Sequence, residues 1–189
     1  TVMGNVDSGK TQLLDTIRNT AIVESEPGRI TQSIGCSLIP IDTIKKICGG
    51  LLEKYKLSIK VPGFVIIDTP GHAAFTNLRK RGGNLADIAI IVVDINDGVK
   101  PQTIECIEIL KNYKTPFVIA LNKIDLLPGW NSNPKIGLLE DVSKQSGNIM
   151  LLLEKKLYEA VGKLSELGFN AERFDRIEDH TKQIAIIPI

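Results

Sequence analysis

Residues 88 to 94, IAIIVVD, form an unbroken apolar run that ends in a carboxylate. No polar side chain alternates with the apolar ones, so a strand made from this run has no face for water. It must be covered on both sides, which suits the interior of a parallel sheet. FVIID (64–68), FVIALN (117–122) and IAIIPI (184–189) repeat the pattern, and TVMG (1–4) reads as the tail of a further strand. Helical spacing fills the gaps. Leu13, Leu14, Ile17 and Arg18 fit one helix after Lys10. Pro101 starts another, with Ile104, Ile107 and Leu110 on one face and Thr115-Pro116 closing it. Ile149, Leu153, Leu157, Val161 and Leu164 mark a longer helix over 149–167, with Gly168 as its stop. Strands alternating with helices predict a three-layer α/β fold with a mostly parallel central sheet. Ligands in such folds bind at the carboxyl ends of the strands.

Three stretches lack this regularity. Residues 21–37 and 126–148 are rich in Gly, Pro and polar residues and read as long loops. Residues 42–57 look like a helical insertion interrupted by Gly49-Gly50.

The 189 residues are enough for one domain, 1–189, expected to be cut at both ends because it starts at Thr1 and stops inside an apolar run. A net charge of +1 argues against a nucleic-acid footprint over the whole surface. No run of about 18 apolar residues crosses a membrane and no signal peptide opens the chain. Cys36, Cys48 and Cys106 show neither a disulfide framework nor C-x-x-C spacing, so a reducing cytoplasm is expected.

The chemistry sits at strand ends. GNVDSGKT comprises Gly4, Asn5, Val6, Asp7, Ser8, Gly9, Lys10 and Thr11, and it lies between a strand end and a helix start. It matches G-x-x-x-x-G-K-[ST]. The glycines let backbone N–H groups turn inward as an anion nest, and the helix N-terminus adds unpaired donors. Lys10 is placed to neutralise β- and γ-phosphate charge, and Thr11 offers a hydroxyl to Mg²⁺. NKID, Asn122, Lys123, Ile124 and Asp125, follows another apolar strand. A carboxylate there accepts from N1–H and the 2-amino group of guanine, whereas adenine has no such donor pair and leaves Asp125 unpaired. Lys123 can lie along the base, and Asn122 can tie this turn to the phosphate loop.

DTPGH, residues Asp68, Thr69, Pro70, Gly71 and His72, ends a third strand. Asp68 is placed to hold Mg²⁺ through a water, and the Gly71 amide can bond a γ-phosphate. His72 can orient the attacking water, or simply cap the next helix. Thr31, in GRITQSIG, can close its hydroxyl onto Mg²⁺ and release it after hydrolysis, or be one of several loop hydroxyls. Asp7 can hold a monovalent cation near the β–γ bridge, or cap the loop backbone. Arg79, Lys80 and Arg81 form a basic cluster that suits either RNA phosphates or solvent.

VDSGKT, ITQSIG, DTPGH, LRKRGG, LADIAIIVVDINDGVKPQTIE, TPFVIALNKID and FNAERFD together resemble the G domain of the initiation factor 5B family, relatives of bacterial initiation factor 2. The likeness runs over nearly the whole chain. It implies a P-loop GTPase fold and a GTPase that hydrolyses GTP to GDP, is stimulated by the ribosome and promotes subunit joining. It implies Thr11, Thr31 and Asp68 around Mg²⁺, Lys10 and His72 as catalytic groups, a monomer, and initiator tRNA engaged through domains absent here. Three departures stand out. Many members have His at the positions of Asn5 and Ser8, although eukaryotic-type members carry a small hydroxyl residue at the latter. Arg29 replaces a glycine of the common Gly-Gly-Ile-Thr, which is expected to stiffen the loop. The family's base-contacting Ser-Ala segment would follow Ile189, so weaker guanine binding is expected of this chain. Another translational GTPase, of the elongation factor Tu type or the γ subunit of initiation factor 2, is the alternative. A non-hydrolysing GTP-dependent scaffold is a third.

Overall fold

The computed structural model describes residues 1–21, 35–54, 56, 58–68, 86–133, 136–179 and 181–189. In chain order the elements are β1 (Val2–Gly4), α1 (Lys10–Ala21), β2 (Gly35–Pro40), α2 (Ile41–Lys54), β3 (Gly63–Asp68), β4 (Ala89–Asp94) and α3 (Pro101–Tyr113). They continue with β5 (Phe117–Asn122), a 3₁₀ turn (Ile124–Leu126), α4 (Leu138–Ser143), α5 (Gly147–Glu166), β6 (Ala171–Arg173) and β7 (Ile184–Pro188). The strands form one sheet in the order β2-β3-β1-β4-β5-β7-β6. Every pairing is parallel except β2 with β3. This is the α/β, mostly parallel architecture that the unbroken apolar runs predict.

The pleat divides the central strands between two cores. Met3, Ile91, Val93, Ile119 and Leu121 enter one core with Cys106, Ile107 and Leu110 of α3 and Leu153, Leu157 and Leu164 of α5. Their alternate neighbours Val2, Val92 and Ala120 pack with Leu14 of α1 on the other side. Helices on both faces give the three layers, and they explain why β4 and β5 carry no polar alternation.

Local chemistry sets the helix limits. Pro101 occupies the first turn of α3, where its missing N–H costs nothing. At the end of α5, Gly168 has φ +85. The Gly168 amide donates to the Ser165 carbonyl and the Phe169 amide to the Leu164 carbonyl, both at 2.9 Å. This is a Schellman closure, and the glycine expected as the stop performs it. Phe169 then meets Phe117 edge to face at 5.3 Å between ring centres.

Three expectations are corrected. Residues 35–37 are strand rather than loop, because β2 pairs along its whole length with β3, from Gly35 opposite Asp68 to Pro40 opposite Gly63. α2 runs unbroken through Gly49-Gly50. Two glycines weaken a helix by about 1 kcal/mol each but keep its hydrogen-bond ladder. The 126–148 stretch contains the end of the 3₁₀ turn, α4 and the start of α5. β6 goes unanticipated, since its three residues include two charged ones. Among the described residues, no helix is long and apolar enough to cross a membrane.

Candidate functional site

The turn from β1 into α1 has an unusual backbone. Gly4, Asp7 and Gly9 have φ +146, +61 and +93, a left-handed region that side chains disfavour. A β-carbon on Gly4 would stand 2.3 Å from the Val92 carbonyl oxygen of β4, so the loop can leave the sheet there only as glycine. Ser8 is 1% exposed and donates its hydroxyl to the Asn5 carbonyl at 2.9 Å. Lys10 opens α1 and its ammonium donates back to the same carbonyl. The Leu13 amide donates to the Gly9 carbonyl at 2.9 Å, so helical bonding begins at the last loop residue. Asn5 is partly exposed, Val6 and Asp7 are exposed, and Thr11 is exposed in the first helical turn.

The second half of the site is the turn after β5. Asn122 ends the strand, Lys123 adopts φ 68 and ψ 36, and Ile124 and Asp125 enter the 3₁₀ turn. The Asn122 Oδ1 accepts the Lys123 amide at 2.8 Å, which stabilises that left-handed residue. Ile124 anchors the turn in the core at 6% exposure, while Asp125 is exposed.

These two segments meet. Asn122 Nδ2 donates to the Ser8 carbonyl at 2.9 Å. Lys123 Nζ donates to the Asp7 carbonyl at 2.6 Å and pairs with Asp94 Oδ2 at 2.8 Å. Burial pushes the Asp94 carboxyl up, but the Lys123 ammonium and the amides of Asn96 and Asp97 outweigh it and hold it below its ordinary value. Asp68, the last residue of β3, is 2% exposed and lies opposite Val2 of the neighbouring β1. The carboxylate is therefore on the strand beside the one that opens the phosphate loop.

A cavity of about 380 Å³ lies between α1 and the turn after β5, large enough for a small organic ligand. Asn122, Lys123 and Asp125 line it, and none of the phosphate-loop residues Gly4 to Thr11 does. Gln12, Leu13 and Thr16 of α1, together with Leu126 and Ile189, line it too and were not anticipated. Leu126, 59% exposed, carries a sequence signal as an apolar residue directly after Asp125. Gln12 and Thr16 carry no local signal, because only the docking of α1 brings them there. Thr31, Thr69, Pro70, Gly71 and His72 lie outside the described residues, as do Arg79, Lys80 and Arg81.

Known proteins resemble this chain over its whole length. The family model described as "Elongation factor Tu GTP binding domain" matches residues 1–172. A probable translation initiation factor IF-2 from Methanopyrus kandleri is 56% identical over 187 residues, 99% of this chain and 31% of the relative. Another from Methanococcus maripaludis strain C7 is 57% identical over 190 residues, 100% of this chain and 32% of the relative. The crystal structure of GDP-bound aIF5B from Aeropyrum pernix superposes with a TM-score of 0.84 at 50% identity. That match covers 100% of this chain and 32% of the aIF5B chain. The chain thus spans about a third of the length of these relatives. The match of that family model over residues 1–172, on a sheet of this topology, places the chain in the family of elongation factor Tu GTP-binding domains.

Proposed function

We propose that this chain is the GTP-hydrolysing switch domain of a translation initiation factor of the IF-2/5B kind. The observation that carries the nucleotide reading is the clasp from Asn122 and Lys123 to the Ser8 and Asp7 carbonyls. It makes an anion nest and a purine-edge carboxylate address one ligand. The initiation-factor reading is supported by relatives that are 50–57% identical across the chain.

In this reading the nest amides and Lys10 hold the β- and γ-phosphates, and Asp125 accepts the guanine donors. Gly4 to Thr11, Asp68 to His72, Thr31, and Asn122 to Asp125 are the nucleotide-contacting residues. Lys10 offsets charge that builds on the phosphoryl oxygens, and His72 orients the attacking water. Among the described residues, no three His, Cys, Asp or Glu side chains converge as a protein-only metal cage. Thr11 in the first turn of α1 and Asp68 at the end of β3 instead offer a hydroxyl and a buried carboxylate. Such an oxygen-only set, completed by ligand phosphates, fits Mg²⁺. Thr11, Asp68 and Thr31 are its proposed holders, and it would supply charge neutralisation to the ligand phosphates. The exposed carboxylate of Asp7 is the proposed contact for a monovalent cation. Replacing K⁺ and Na⁺ with a bulky organic cation should then slow turnover.

The ribosome is the proposed partner and activator, with initiator tRNA engaged by parts of the protein outside this chain. Phosphate release by the full-length protein, with and without ribosomal subunits, tests the reading. His72→Ala should abolish the ribosome-stimulated rate and leave GTP affinity intact. Equal stimulated rates for both proteins would remove His72 from the mechanism.

A further inference from the structure

We infer that Asp94 is a positioning residue for the guanine-reading turn, pinning Lys123 across the phosphate loop and thereby setting how long a guanine nucleotide stays bound. The inference rests on the nucleotide reading above and adds to it a residue that no phosphate-loop or base-turn motif contains.

Asp94 is the last residue of β4 and stands in register with Asn122, the last of β5. Its side chain is 12% exposed. One oxygen accepts the Asn96 amide at 2.8 Å, which fixes the carboxylate plane. The other oxygen pairs with Lys123 Nζ at 2.8 Å, while the same ammonium donates to the Asp7 carbonyl at 2.6 Å. A β-carbon built on Gly9 would lie 3.9 Å from Lys123 Cε, so the lysine stem passes directly over the phosphate loop.

A lysine has a flexible four-carbon stem, and a single acceptor would leave it free to swing about that anchor. Two acceptors, one on the phosphate loop and one at the end of β4, hold it along one line. Charge-assisted bonds of this length are the stronger kind. Asp94 itself does not line the cavity, whereas Lys123 does. The carboxylate therefore acts through the lysine. Because it acts at the base end of the site, its effect should be the same for GDP and GTP.

The test is the dissociation rate of fluorescent GDP and GTP analogues from the full-length protein and from Asp94→Asn, Asp94→Ala, Lys123→Ala and the Asp94→Ala/Lys123→Ala pair. Loss of one charge-assisted bond predicts roughly tenfold faster release from Asp94→Ala, equal for both nucleotides. Asp94→Asn should show a smaller acceleration, since it keeps an acceptor for the Asn96 amide and drops only the charge. In the Lys123→Ala background Asp94→Ala should add nothing. In steady state the change should appear in KM for GTP rather than in kcat. An unchanged release rate in Asp94→Asn and Asp94→Ala overturns the inference. So does an equal acceleration with and without Lys123, the mark of a merely structural role. Should Asp94→Ala fail to fold, the near-isosteric Asp94→Asn decides alone. A wild-type protein that does not retain GDP removes the nucleotide reading itself. Normal wild-type retention with inert Asp94 variants removes this inference only.

Discussion

Asn122 Nδ2 and the Ser8 carbonyl oxygen are 2.9 Å apart, although 114 residues of chain separate them. A β-carbon on Gly9 would stand 2.1 Å from that same nitrogen. The hydrogen bond and the glycine are therefore one requirement, because the phosphate loop must pass beneath the amide with no side chain in between. Gly9→Ala is also strained by its φ of +93. GDP affinity should fall at least ~100-fold, as expected when a clasp and a backbone turn fail together. Isothermal titration calorimetry reads this directly.

Asn122→Ala keeps the glycine space but deletes the clasp. Ser8 loses its partner, and Lys123 loses the Oδ1 that accepts its amide. Stability to urea should drop by about 1–2 kcal/mol and GDP affinity by roughly tenfold. A loss of affinity with no loss of stability would mean the clasp forms only around the ligand.

Asp125→Asn tests the purine reader. An amide can no longer accept from both guanine donors, but its own N–H₂ can donate to a 2-oxo group. GDP binding should weaken about 100-fold or more, while xanthosine diphosphate gains. Competition titrations with the two nucleotides measure the exchange.

The lowered pKa of Asp94 makes a statement about acid stability. Its folded value lies below the ordinary carboxyl value that the unfolded chain would show. The stabilisation is therefore fully present above about pH 4 and fades as pH falls through the lower folded value. The stability difference between wild type and Asp94→Asn should be constant from about pH 5 upward and shrink below about pH 4. Urea titrations at several pH values show it, since other carboxylates cancel in the difference.

Glu154 tests a separate piece of architecture. Its Oε1 accepts from Arg173 at 2.8 Å and Arg176 at 2.7 Å, joining α5 to the β6 margin of the sheet. Arg173, only 11% exposed, also pairs with Asp175 at 2.6 Å. Glu154→Ala should destabilise the chain by about 1–3 kcal/mol, because a mostly buried guanidinium loses a partner. GDP affinity should not change.

Much of this fold is legible in the sequence, and the reason is burial. β4 and β5 are covered on both faces, so their sequences contain nothing polar until the strand ends at Asp94 and Asn122. The polar residues that follow are where chemistry is possible, and 122–125 stand out on that ground alone. β2 is illegible for the opposite reason. Leu38 and its cross-strand partner Val65 are 68% and 61% exposed while Ile39 is 2% exposed, so pairing with β3, not a hydrophobic pattern, makes the strand. β6 hides its strand character behind Glu172 and Arg173, whose charges are answered only in three dimensions. In the site, glycines and motif spacing reveal the phosphate loop. Asp94, Gln12 and Thr16 escape notice because their roles depend on contacts between segments far apart in the chain.

The division of β4 between two cores has a hereditary consequence. Ile91 and Val93 point one way and Val92 the other, and Asp94 follows at the strand's end beside Asn122. Deleting one residue anywhere in 89–94 would exchange the two interiors and draw the carboxylate back by one strand step, about 3.3 Å. Interior and clasp are measured off the same ruler. A substitution along these strands should therefore cost far less than an insertion or deletion, which the connecting segments alone can absorb.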